Sequence, residues 1–150
     1  MRNNQPVTQR ERTFPETQRL ISTTNLKGII TYCNDAFVDV SGFTREELIG
    51  SPHNMVRHPD TPAAVFAHMW ADLKRGRAWM GIVKNRCNNG DHYWVNAFVT
   101  PIYENGQVQG YESVRVRTTP GQVQRAEALY QRLNSGRKAV TADWAGMALT

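Results

Sequence analysis

Cysteine is scarce in this chain. Cys33 and Cys87 are the only two among 150 residues, with no CxxC spacing and no histidine partner nearby. That excludes a thiol-rich metal site and a disulfide framework; reduced thiols are the simplest expectation, with one disulfide left open. Long apolar runs are also missing. None reaches the roughly 18 residues needed to cross a bilayer, and the polar first residues lack the apolar stretch of a signal peptide. A soluble chain is therefore expected. A glycine-rich phosphate loop is absent, which argues against a Rossmann-type site. Neither an internal repeat nor a low-complexity tract occurs. Charge of one sign is not concentrated. The net charge is +5, from 18 Lys+Arg against 13 Asp+Glu, and the longest basic cluster is Lys74-Arg75-Gly76-Arg77. So diffuse an excess does not point to nucleic acid as a partner.

What is present suits one domain with extra segments at its ends, since 40% of the residues are apolar. Residues 1–19, polar and containing Pro6 and Pro15, read as a mobile arm. Residues 20–118 hold the domain, 119–136 a C-terminal helix, and 137–150 a linker or tail without pattern.

Within the domain, Leu20-Ile21-Ser22-Thr23-Thr24 and Ile29-Ile30-Thr31-Tyr32-Cys33 are β-prone and flank a turn at Asn25–Gly28. Asn34 or Asp35 can cap a short helix that stops near Gly42. Thr44 and Glu47 have the capping-box spacing of a second, ending near Gly50. Residues 62–75 predict the clearest helix, with Thr61 as cap and Phe66, Met69, Trp70 and Leu73 on one face. Three strands follow, 79–87, 92–103 and 108–117, separated by Asn89-Gly90 and Asn105-Gly106, both strong hairpin signals. Pro101 suggests an end, an edge or a bulge. In the last helix Thr119 can cap, Gly136 can end, and Val123, Ala126, Tyr130 and Leu133 form a stripe suited to a sheet or a partner helix. The economical assembly is α+β: a five-stranded antiparallel sheet with helices on one face enclosing a pocket.

The chemistry is densest in the loop Pro52–Pro62. Three prolines in eleven residues rule out a long helix or central strand there, and His53, Asn54, Arg57, His58 and Asp60 crowd the same stretch. A stiff polar loop before a helix start can hold an anionic or planar ligand. A rigid surface connection is the plain alternative.

The element order, with Gly28–Phe37 and Ser41–Gly50, resembles a PAS domain. The stretch Pro52–Asp60, joined to Gly81–Arg86 and Asn89–Val95, is similar to the N-terminal sensor of bacterial aerotaxis receptors. The likeness runs from about Ser22 to Arg137. It implies a PAS fold, noncovalent FAD, and a non-enzymatic redox or oxygen sensor. It implies as partners a downstream receptor signalling region and the chemotaxis kinase complex, with a homodimer an option. It also implies a cytoplasmic placement on an inner-membrane-anchored receptor.

The residues can be weighed against a flavin. The ring needs an apolar, partly aromatic slot; Trp70 and Trp79, with Met69, Ile82 and Phe98, are candidate walls, and Trp79, opening a strand after a helix, is placed for a pocket mouth. Both tryptophans also suit a plain core. The pyrimidine edge asks for amides that donate and accept, hence Asn34, Asn85 and Asn96. Asn85 shares a strand face with Trp79 and Val83 by period two; satisfying backbone near the turn is its competing role. Arg57 and His58 match the aerotaxis motif and suit the pyrophosphate. Asp60 either orients Arg57 or caps the next helix, and His53 is expected to make a local hydrogen bond. Reduction changes the hydrogen bonding at flavin N5, to which the Asn85 amide could respond.

Four other readings compete. A light-sensing LOV-type PAS needs a thiol where Gly50-based alignment places His53. A haem PAS would use His53, His58 or His68. A cofactor-free PAS would act by dimerisation through the last helix. A flavoenzyme would need an acid or base with a partner, and none is evident.

Overall fold

The computed structural model describes residues 4–135, and Gly136 with the tail lies outside them. Five antiparallel strands form one sheet in the order β2-β1-β5-β4-β3. They are β1 (Leu20–Asn25), β2 (Ile30–Cys33), β3 (Trp79–Arg86), β4 (His92–Glu104) and β5 (Gln107–Arg117). The α+β expectation holds.

The local signals act as expected in most places. Asn34 Oδ1 accepts from Phe37 N and caps α1 (Asp35–Ser41), which Gly42 ends at φ +76°. Thr44 and Glu47 form the capping box of α2 (Arg45–Leu48). Asn105 and Gly106 both take positive φ, as a tight hairpin turn requires. Pro101 is tolerated in β4 because β3 pairs with β4 only as far as Val99, so the strand is an edge beyond that point.

The helix α3 (Ala63–Lys74) departs in one detail: Pro62 precedes it with no side-chain cap. The Thr61 hydroxyl instead donates to Lys84 O at 2.8 Å and pins the helix start to β3. α4 (Pro120–Asn134) begins with a Thr119–Gln122 capping box. Its stripe packs on the outer sheet face, where Tyr130 Oη donates to Ile82 O at 2.7 Å and the Tyr130 ring lies 5.8 Å from Trp94. The helices therefore flank both faces: α4 lies opposite the cavity described below.

The N-terminal arm is not left free. Its backbone pairs with the 87–92 turn region, through Thr8 N to Gly90 O and Arg12 N to His92 O. Phe14 is buried in the core. The expectation of a mobile arm missed this because the pairing needs a strand end distant in sequence.

Candidate functional site

Period two decides which strand residues face inward. On β3 these are Trp79, Gly81, Val83 and Asn85; on β4, Val95, Ala97 and Val99; on β5, Tyr111, Ser113 and Arg115; on β1, Ser22 and Thr24. All but Gly81 line one cavity of about 240 Å³. The opposite wall is the apolar stripe of α3, Phe66, Met69, Trp70 and Leu73, together with the loop residues His53, Asn54, Val56 and Arg57.

The loop is held at both ends. Pro52 bridges to Ile29, and Arg57 to Asn85 on β3. Between them, 53–56 make one tight 3-10 turn. From outside, Asn4 Nδ2 donates to Asn54 O at 2.9 Å and to Arg57 O at 2.7 Å. The Arg57 guanidinium stacks 3.9 Å over the Phe66 ring. Its Nε and the Asn54 Oδ1 are buried without a hydrogen-bond partner. Two such atoms on one wall mark where a polar ligand group fits, because buried polar atoms are normally satisfied.

Trp79 is anchored by a bond from its Nε1 to His68 Nδ1 at 2.9 Å. It lies over Gly81, where a Cβ would collide with the indole. It is thus a buried wall and not a mouth residue. Trp70 meets Tyr111 edge-on at 5.2 Å.

The strand face carries a polar group as well. Arg115 donates to Ser22 Oγ at 2.6 Å and to His53 Nε2 at 2.9 Å. That second bond requires Nε2 to accept, which is the neutral imidazole. Burial first, and the charge of Arg115 second, push the His53 pKa down to about 3. Burial pulls the Arg115 guanidinium down to about 10.

Of the site residues expected from sequence, Arg57, Trp70, Trp79 and Asn85 come together on the cavity wall. Four lie elsewhere. Asn34 spends its side chain as a clasp, accepting from Ile21 N and Phe37 N and donating to Arg19 O. His58 is buried outside the cavity, where its Nδ1 accepts from Asp60 N at 3.0 Å. Asp60 accepts from Lys84 Nζ at 2.9 Å; it neither orients Arg57 nor caps α3. Ile82 points to the outer face, because it alternates with Trp79 and Val83 on β3. Asn96 pairs with Ile82 and Phe98 with Met80, so both share that outer face. Ser22 and Arg115 were not singled out from the sequence, and His53, expected to make a local hydrogen bond, makes it to them. The signal for Arg115 was parity on β5: Ser113 and Arg115 face one way and Val114 and Val116 the other, and the polar set is the one facing in.

Rival chemistries find little here. Neither thiol lines the cavity: Cys33 ends β2, and Cys87, just past β3, bonds to Val40 O and is pushed up to about 11 by burial. The histidines considered for haem each have a partner already, Ser22 and Arg115 for His53, Asp60 N for His58 and Trp79 for His68. Among the described residues no group of three His, Cys, Asp or Glu is arranged for a metal.

The family described as PAS fold matches residues 30–115, more than half of the chain. The chain belongs to the PAS family. This PAS domain is 53% identical over 131 residues to the aerotaxis receptor of Escherichia coli K12, covering 87% of the chain and 26% of the receptor. It is 28% identical over 92 residues to the nitrogen fixation regulatory protein of Klebsiella pneumoniae, covering 61% of the chain and 19% of that protein. It thus spans 26% and 19% of the length of these two relatives. Among solved structures, a PAS domain from Colwellia psychrerythraea superimposes with a TM-score of 0.61 at 26% identity, over 67% of this chain and 86% of that one. The aureochrome-1 LOV domain in its light state superimposes with a TM-score of 0.66 at 17% identity, over 79% and 93%; at that identity the shared property is the fold. The chain is therefore a PAS domain similar to the one in an aerotaxis receptor. No helix among the described residues is long and apolar enough to cross a membrane.

Proposed function

We propose that the cavity takes a noncovalently bound FAD, and that this PAS domain relays the redox state of the flavin to a chemotaxis signalling module. The observation that carries the proposal is the pair of partnerless buried atoms, Arg57 Nε and Asn54 Oδ1, on residues that line the cavity beside the apolar α3 stripe. A flavin combines a flat apolar ring with hydrogen-bonding edges and an anionic tail, and the wall offers a counterpart to each.

The volume of about 240 Å³ lies just under the roughly 300–1,000 Å³ of ordinary ligand pockets. It suits a ring system, with the dinucleotide tail leaving toward Lys27, Asn54 and Arg57. Trp70, Trp79 and Phe66 offer the ring its flat apolar surfaces. Asn85, 5% exposed, offers the ring edge an amide that both donates and accepts. Arg57 offers the tail a cation. Bound flavin supplies reversible electron transfer. The protein's own task is to register the changed hydrogen bonding and pass it on. Asn85 sits on β3, and the other face of β3 is tied to α4 through Tyr130 and to the Asp60 loop through Lys84. A shift of β3 therefore reaches α4, the last element among the described residues.

A full population switch from 1:99 to 99:1 takes about 5.5 kcal/mol of differential stability. One turned amide contributes a fraction of that, so a partial shift amplified by assembled receptors is the expected form of the signal. The receptor signalling region and chemotaxis kinase complex as recipients, and an inner-membrane anchor, belong to the same proposal. They are supported by the identity to the aerotaxis receptor.

The visible spectrum of purified protein tests the reading. Yellow flavin bands that bleach on reduction are expected, and extracted cofactor should match an FAD standard and not FMN. Colourless folded protein that ignores added FAD would refute it.

A further inference from the structure

The floor of the cavity holds a positive charge that the protein does not neutralise. Arg115 is 2% exposed and is the largest of the fully buried side chains. Its guanidinium donates to Leu20 O, Ser113 O, Ser22 Oγ and His53 Nε2, which are all neutral acceptors. None of the ion pairs among the described residues includes it. The charged residues lining the cavity are Lys27, Arg57 and Arg115, all cationic. Buried charges are ordinarily paired, because an unpaired one keeps its full desolvation penalty. Here the neighbours satisfy the hydrogen bonds and leave the charge in place.

The charge is also fixed in position. Arg115 sits near the C-terminal end of β5, paired with Ala97 on β4 and Leu20 on β1. The Phe37 ring stacks 4.5 Å from the guanidinium carbon. His53, neutral beside it, adds no second charge and cannot cancel the first.

We infer that Arg115 sets the charge preference of the cavity, making it bind a flavin ring more tightly in the reduced, anionic form than in the oxidised, neutral form. The inference rests on the flavin reading above. Two electrons and one proton convert the neutral oxidised ring to a monoanion whose charge is spread over N1 and the adjacent carbonyl. The electrons come from an external reductant, dithionite in the test below. Beside a guanidinium only 2% exposed, attraction between that anion and the fixed charge is weakly screened. Stabilising the reduced form raises the reduction potential of the bound ring.

The test compares wild type with Arg115→Gln, Arg115→Lys and Ser22→Asp, each loaded with FAD. Midpoint potentials come from spectroscopic titration with dithionite, and affinity for oxidised FAD from fluorescence quenching. Arg115→Gln should lower the ratio of reduced to oxidised affinity at least tenfold, a fall in potential of about 30 mV for a two-electron couple. Arg115→Lys keeps the charge and should stay near wild type. Ser22→Asp places a carboxylate where the Ser22 hydroxyl now accepts from Arg115 at 2.6 Å. It should reproduce the fall with the arginine still present, so it decides the matter by itself if Arg115→Gln does not fold. Unchanged potentials in flavin-loaded Arg115→Gln or Ser22→Asp would overturn the inference and leave the flavin reading standing. A wild-type protein that takes up no flavin would remove both.

Discussion

Asn4 and Arg57 stand at opposite ends of the site's control: the Asn4 amide donates to the backbone carbonyl of Arg57 at 2.7 Å, so the N-terminal arm holds the loop that shapes the cavity. The same amide reaches Asn54 O at 2.9 Å, and Asn4 is buried at 7% exposure. Replacing it with alanine removes the amide donor from both carbonyls, although Asn54 O keeps the Arg57 N–H. Asn4→Ala should destabilise the loop by about 1–3 kcal/mol. Amide hydrogen exchange across residues 53–58 should rise, and bound FAD should leave faster. Unaltered exchange would show that the arm is only an ornament of the surface.

Gly81 should resist substitution for a reason unrelated to turns. Its φ is not unusual, but its missing Cβ is the space in which the Trp79 indole lies. Gly81→Val must push the indole off the sheet and away from His68. Overpacking of this kind costs about 1–3 kcal/mol. The expected readouts are a lower melting temperature, altered tryptophan fluorescence and weaker flavin uptake, with Gly81→Ala intermediate.

Asn34 and Asn85 should separate stability from binding. Asn34→Ala removes a helix cap and the β1 clasp, and should cost about 1–2 kcal/mol in denaturant unfolding while leaving the flavin spectrum of the folded fraction unchanged. Asn85→Ala removes a cavity amide. It should shift the flavin bands or weaken FAD binding with little effect on unfolding. The reverse pattern would exchange the roles assigned to the two residues.

Acid should unfold the domain through its buried imidazoles. The His53 pKa is lowered to about 3 by burial and Arg115, and that of His58 to about 4 by burial and Lys84. The unfolded chain carries ordinary histidines near 6.5. Between those values the unfolded state binds more protons, so stability is complete above about pH 6.5 and falls as pH drops toward 4 and then 3. Each histidine should contribute about 2 kcal/mol of loss between pH 6.5 and 5 at most. Denaturant unfolding at the two pH values measures it, and His53→Gln should flatten the slope.

Local chemistry was legible in the sequence. The Asn34 cap, the Thr44–Glu47 box, the glycine at 42, the Asn-Gly turns and the α3 stripe each act within a few residues of chain, and the structure realises each one. So does the inward parity of Trp79, Val83 and Asn85, because period two needs only the strand itself. Ile82, offered above as a cavity wall, runs against the same rule, because its place between Gly81 and Val83 puts it on the other face. The PAS likeness was legible too, as a whole pattern of these local features.

Pairings across the chain were not. The stretch from His53 to Asp60 holds five polar side chains in sequence, yet the fold divides them: His53, Asn54 and Arg57 turn to the cavity, while His58 and Asp60 go to the Lys84 side. That division follows from the bridge between Arg57 and Asn85, which no spacing within the loop announces. Arg115 is the sharper case. In sequence it is one of many scattered cations between two valines. Only the sheet order, with β5 between β1 and β4, brings Ser22 and His53 to its guanidinium and shuts water away from it. The amino-acid order by itself determined the elements, their caps and their faces, because those depend on near neighbours. Which polar groups share one cavity was decided by the tertiary structure, because burial and charge are properties of what the distant parts of the chain enclose together.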